Sequence, residues 1–156
     1  MKIIRIDKDN MLNGDGLRAV VWTSGCSHHC PGCQNPETWD YNYGHEMTTE
    51  EKNDLLEYLT HDYVSGVTFS GGDPLFINNR DGVLELCKEI KNLIPNTNIW
   101  IYTGFTIETI EKIFPEILEY VDVLVDGPFV QALADVQYHW AGSTNQRVIK
   151  LGGRHN

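Results

Sequence analysis

No stretch of the 156 residues comes near the roughly 18 consecutive apolar residues of a membrane span, so no membrane association is expected. Basic residues are scarce as well: 12 Lys and Arg stand against 22 Asp and Glu, a formal net charge of −10. A nucleic-acid binder needs a cationic surface to displace counterions from phosphate, and this chain is acidic, so no nucleic-acid partner is expected. The opening residues, Met1-Lys2-Ile3-Ile4-Arg5-Ile6-Asp7, have neither the apolar core nor the small-residue cleavage site of a secretory signal. The expected location is the cytoplasm, where thiols stay reduced. Internal repeats and low-complexity tracts are absent, and the length suits a single domain over residues 1–156.

Cysteine is sparse too, yet three of the four fall within eight residues, in Gly25-Cys26-Ser27-His28-His29-Cys30-Pro31-Gly32-Cys33. In a reducing compartment a Cys-x3-Cys-x2-Cys cluster points to a metal or to catalysis rather than to disulfides. Thiolates from one short loop can converge on a single centre, and both zinc and iron–sulfur clusters accept sulfur. A structural zinc site wants four ligands, commonly two separated pairs, and a second Cys-x-x-Cys is absent. His28 and His29 lie between Cys26 and Cys30, awkwardly placed for the same ion, and read as surface or packing residues. Cys87 sits on an apolar helical stripe and reads as a small core residue. The spacing favours an iron–sulfur cluster and leaves zinc open. Three cysteines on a four-iron cluster leave one iron without a protein ligand, a place for a small molecule.

Hydrophobic runs at 17–23, 66–70, 98–102 and 121–125 read as buried strands, and 146–151 as a last one. Between them, Thr48-Thr49-Glu50-Glu51 predicts a capped helix carrying Leu55, Leu56 and Leu59. Val83, Leu86, Cys87, Ile90, Leu93 and Ile94 give the clearest helical period, stopped by Pro95, and Thr106 predicts the cap of a short helix. Residues 129–143 show no firm pattern. The alternation predicts an α/β fold of mostly parallel strands with right-handed crossovers. The cysteine loop, Gly71-Gly72-Asp73-Pro74, Thr103-Gly104 and Asp126-Gly127-Pro128 each follow a strand. In a parallel sheet they share the edge where such folds place their sites. The strands are too few for an eight-fold barrel of about 250 residues, so a partial β/α barrel or a strongly curved open sheet is expected.

Cys-x3-Cys-x2-Cys after one strand, with Gly-Gly-Asp-Pro after the next, resembles the radical S-adenosylmethionine (radical SAM) superfamily. Within it the chain is similar to the subgroup that activates anaerobic (class III) ribonucleoside-triphosphate reductases. The residues that carry the likeness are Asn13-Gly14-Asp15-Gly16 with Arg18, residues 25–39, 70–75, 100–104 and 123–127, and Gly142-Ser143-Thr144-Asn145-Gln146-Arg147. The resemblance implies a 4Fe-4S cluster on Cys26, Cys30 and Cys33, its open iron chelated by the amino and carboxylate groups of S-adenosylmethionine. One electron from a low-potential donor protein would cleave the sulfonium into methionine and a 5′-deoxyadenosyl radical. That radical would take a hydrogen atom from a backbone glycine of the partner, the large subunit of an anaerobic ribonucleotide reductase.

The same resemblance implies that Gly32 and Gln34, beside Cys33, meet the adenine and that Gly71 and Gly72 let the backbone approach the cofactor closely. Asp73 is implied as an acceptor for the methionyl ammonium; a plain strand-to-helix turn is the alternative for all three. Asp126 and Asn145 are candidates for the ribose or the amino-acid end, and equally for closing a turn or a strand end. Two positions depart from the pattern: Gly32 stands where many members carry an aromatic residue, and Ala141 where an arginine is expected. Alternative functions are activation of another glycyl radical enzyme, small-molecule radical chemistry, or a zinc or iron–sulfur module without catalysis.

Overall fold

The computed structural model describes residues 1–28, 30, 36–128, 130, 133, 141 and 143–151. Seven strands form one sheet among them: β1 (Lys2–Asn10), β2 (Arg18–Thr23), β3 (His45–Glu46), β4 (Gly66–Gly71), β5 (Asn98–Tyr102), β6 (Val123–Asp126) and β7 (Arg147–Lys150). Their spatial order is β3-β1-β2-β4-β5-β6-β7. The central four, β2, β4, β5 and β6, run parallel, with Thr23 opposite Gly71 and Tyr102 opposite Val125 at their C-terminal ends. β1, β3 and β7 flank them antiparallel.

The sheet is not closed, with β3 and β7 as its edges, which agrees with the expectation that the strands are too few for a complete barrel. The unforeseen strand is β1, whose KIIRIDKDN sequence lacks a clean two-residue period. Only Ile3 is fully buried there, and two register irregularities interrupt its pairing with β2.

Three α-helices supply the crossovers: α1 (Thr49–Leu59), α2 (Arg80–Leu93) and α3 (Ile107–Ile113). The predicted capping box is present on α1, where Thr48 accepts from the Glu51 N–H and the Glu51 carboxylate accepts from the Thr48 N–H. Thr106 likewise caps α3. The stripe of α2 buries Val83, Leu86, Cys87 and Ile90, each aliphatic side chain contributing on the order of 1.5–3 kcal/mol, while Leu93 at its end is exposed.

Strand alternation divides the sheet into two faces. Ala19 and Val21, Val67 and Phe69, and Ile99 and Ile101 pack with all three helices into the main core. The intervening residues, among them Arg18, Thr68, Trp100 and Tyr102, belong to the other face, where Trp100, Val123 and Val125 form a smaller cluster. Right-handed crossovers place all three α-helices on the same side, and among the described residues no α-helix covers the second face.

Candidate active site

The cysteine loop leaves the end of β2 and is stitched at its base. The Gly25 N–H donates to the Thr38 carbonyl (2.7 Å) and the Cys26 N–H to the Trp39 carbonyl (3.2 Å). A 3-10 turn, Pro36–Trp39, returns the chain to those bonds. The neighbouring strand end is tied to the same point: the Gly72 N–H donates to Thr23 O (2.9 Å) and the Asp73 N–H to Gly25 O (2.8 Å). Asn79, just before α2, adds a bond from Nδ2 to the Ser24 carbonyl (2.7 Å). The loop and the Gly71-Gly72-Asp73 turn, 45 residues apart in sequence, therefore begin as one unit.

Cys26 and Cys30 are half-buried and in no disulfide. Cys33, Gly32, Gln34 and His29 lie outside the described residues, so the third thiolate and the adenine-side expectations rest on sequence. No group of three His, Cys, Asp or Glu side chains converges as a metal site among the described residues. Two cysteine sulfurs on a loop anchored against a strand end are the donor chemistry an iron–sulfur cluster takes, and the described part of the set fits one. Cys87 is fully buried in the core, and burial pushes its thiol well above the ordinary range, so no thiolate is available there.

Gly71 has φ of 110°, and a Cβ on it would strike the backbone of Thr23; a Cβ on Gly72 would lie 2.6 Å from the carbonyl oxygens of Gly25 and Thr38. What these two glycines approach closely here is the chain's own backbone. Asp73 is 1% exposed, and both its oxygens are occupied. Oδ1 accepts from the Leu75 N–H (2.9 Å) and the Thr103 hydroxyl (2.8 Å), while Oδ2 accepts from the Gly104 N–H (3.0 Å) and from His28 Nε2 (2.7 Å). A ligand ammonium would have to share an oxygen or displace a donor. His28 was expected at the surface or in packing, and nothing in the local pattern singles it out. Its partner comes from another strand end.

Asp126 and Asn145 are likewise engaged by the chain. Asp126, fully buried, accepts from the Ile107 N–H at the start of α3 (2.8 Å) and from Arg147 Nε (3.0 Å). Asn145 Nδ2 donates to the Pro128 carbonyl (2.9 Å), and its Oδ1 accepts from the Ser143 hydroxyl (2.6 Å). Gln146 Nε2 adds a bond to the Gly127 carbonyl (3.0 Å). These bonds describe the turn-closing alternative: the Ser-Thr-Asn-Gln-Arg stretch clamps β7 to the end of β6.

Arg147 also pairs with exposed Glu108, and its hydrogen bonds hold that carboxyl at about 2, below the ordinary 4.5. A depressed carboxyl stabilises the fold at pH above about 4.5 and loses that contribution as pH falls toward 2. Glu108→Gln is therefore expected to lower the thermal midpoint slightly at pH 7, with the difference from wild type closing between pH 4.5 and 2. A pH-independent difference in thermal scans would contradict this.

On the second face the Tyr102 hydroxyl, buried at the C-terminal end of β5 just before Thr103, has no hydrogen-bond partner among the described residues. Leaving such a group unsatisfied costs about 1–3 kcal/mol, which a bound polar ligand would recover. At the opposite ends of the strands, Asp15, Ser65, Asn98, Trp100, Asp122 and Lys150 line a cleft of ≈ 400 Å³ remote from the cysteine loop. No helix among the described residues is long and apolar enough to cross a membrane.

The family model described as "4Fe-4S single cluster domain" matches residues 12–149. A relative from Vibrio cholerae serotype O1 is 38% identical over 144 residues, 91% of this chain and 93% of its own length. A second, from Enterobacteria phage T4, is 37% identical over 95% of this chain and 93% of its own length. A third, from Escherichia coli K12, is 36% identical over 91% of this chain and 94% of its own. All three are named anaerobic ribonucleoside-triphosphate reductase-activating protein. With the similarity running through nearly the whole of each chain, this protein belongs to the family of anaerobic ribonucleoside-triphosphate reductase-activating proteins and carries a 4Fe-4S single cluster domain.

Proposed function

We propose that the chain is a radical SAM activase, one domain over residues 1–156, that generates a glycyl radical on an anaerobic ribonucleoside-triphosphate reductase. The observation that carries this is the joining of the cysteine loop to the Gly71-Gly72-Asp73 turn through Gly25, Thr23 and Asp73 on one sheet edge. Cys26, Cys30 and Cys33 would hold the cluster and leave its fourth iron to the amino-acid end of S-adenosylmethionine. So loaded, the site supplies one-electron cleavage of the sulfonium to methionine and a 5′-deoxyadenosyl radical, which takes hydrogen from the partner's glycine.

The protein's part is placement. Gly25, Gly71 and Gly72 keep the loop and the turn in contact, and Gly32 and Gln34 flank the last cysteine on the adenine side. The buried Tyr102 hydroxyl, without a hydrogen-bond partner among the described residues, supports a ligand lying along the ends of β4 and β5. A low-potential donor protein and the reductase are the partners this chemistry requires. An open sheet suits a protein substrate, whose glycine must be brought in on a chain segment.

The test is electron paramagnetic resonance after anaerobic reconstitution with iron and sulfide, reduction, and addition of S-adenosylmethionine and the reductase. A glycyl doublet is the expected result. Turnover of a small substrate with no doublet from any anaerobic reductase would refute the activase assignment. A colourless protein with one tight zinc would refute the radical chemistry altogether.

A further inference from the structure

His28 occupies a built seat. Its Nε2 donates to Asp73 Oδ2 at 2.7 Å, with the imidazole 16% and the carboxylate 1% exposed. The ring meets Phe105 edge-on at 4.5 Å between centroids. Beneath it lies Gly104, where a Cβ would come within 2.7 Å of the imidazole Cγ and Nε2. The acceptor is itself immobile: Leu75, Thr103 and Gly104 orient the Asp73 carboxylate. Phe105 in turn is covered by the Arg80 guanidinium at 5.7 Å.

We propose that His28 is a positioning residue for the cluster loop: through Asp73 it fastens the Cys26–Cys30 segment to the ends of β4 and β5 before any cofactor arrives. The inference rests on the cluster-binding role given to that loop under the proposed function. Ser27, the neighbour of His28, is exposed. The described stitching bonds of Gly25 and Cys26 lie at the loop's base, and His28 carries a further anchor beyond it. A loop pinned at this point loses less conformational freedom when its thiolates take up a cluster. The carboxylate of Asp73 thus acts by holding His28, and the methionyl ammonium would meet other acceptors of the turn.

Three variants test this. His28→Ala removes the anchor, His28→Gln keeps an Nε2 donor, and Gly104→Ala leaves His28 intact and pushes its ring from the seat. Hydrogen exchange of the peptide spanning residues 25–30 is measured first in the metal-free chain, with circular dichroism to verify folding. His28→Ala and Gly104→Ala are expected to exchange about tenfold faster than wild type, and His28→Gln within about twofold of it, as a charge-assisted hydrogen bond implies. The reconstituted proteins should then lose iron to a chelator in the same order, with a shifted reduced-cluster resonance in His28→Ala that His28→Gln restores.

Unchanged exchange in His28→Ala would overturn the proposal. So would a Gly104→Ala protein that behaves as wild type, or failure of His28→Gln to restore the exchange rate. Tighter S-adenosylmethionine binding by His28→Ala would show instead that His28 competes for Asp73, and would also overturn it. Should the wild type take up no cluster, the proposed function fails in that arm, while the exchange series still shows whether the loop is pinned.

Discussion

Replacing Cys30 by alanine is expected to abolish the iron–sulfur absorbance of the reconstituted protein, its reduced-cluster resonance and its cleavage of S-adenosylmethionine. Cys87→Ala should leave all three intact. The difference follows from where the two thiols sit. Cys30 lies half-buried in a loop whose base is stitched to the ends of β2 and β4, and it is one of three sulfurs at ligand spacing. Cys87 is fully buried on the core stripe of α2, where desolvation holds the thiol protonated and no other cysteine shares its cluster of contacts. Its loss removes only a small buried group, a cost of about 1 kcal/mol visible in urea unfolding. Iron content and spectra decide the matter, and equal loss of cluster from both variants would refute the ligand assignment.

Arg18→Met should destabilise the metal-free chain by about 3 kcal/mol in urea unfolding, as several buried acceptors lose a donor, a large share of the roughly 5–15 kcal/mol typical of a domain. Arg18 is fully buried at the start of β2, and burial lowers its guanidinium to about 10, which leaves it charged at neutral pH. No carboxylate pairs with it at salt-bridge distance among the described residues. Its donors go instead to the carbonyls of Asp15, Val67 and Asn98, to the Asn98 side chain, and from Nε to the Thr68 hydroxyl at 2.9 Å. Thr68 passes the chain of bonds on to the Asn13 carbonyl, so the Asn-Gly-Asp-Gly stretch is held across the sheet by this one side chain. Methionine fills the volume and takes a donor from each of these carbonyls, from the Asn98 side chain and from the Thr68 hydroxyl. Arg18→Lys should recover little, because a single ammonium cannot reach acceptors spread over two strands and the turn before β2. A methionine variant within about 1 kcal/mol of wild type would show that water replaces the guanidinium, contrary to its burial.

Much of the central sheet was legible because its signals are local. β2, β4, β5 and β6 are short β-branched runs, α2 shows its stripe within fourteen residues, and the Thr48 and Thr106 caps lie beside the turns they close. β1 and the two-residue β3 were illegible for a matching reason. Their pairing is antiparallel, β1 is half-buried with an irregular register and β3 is exposed, so no hydrophobic period marks them. The curvature of the sheet also lies beyond such signals, since it depends on how distant strands meet and not on any one of them.

The three-thiolate loop and its place at a strand end with Gly71-Gly72-Asp73 come from the sequence by itself, because ligand spacing and strand ends are properties of neighbouring residues. What those residues touch was decided by the fold. Asp73 takes His28 from 45 residues before it and Thr103 from 30 after, and Asp126 and Asn145 are spent on a clamp between β6 and β7. A hydrogen bond reaches only about 3 Å, so its partner is chosen by whichever chain segments the packed sheet brings within that distance.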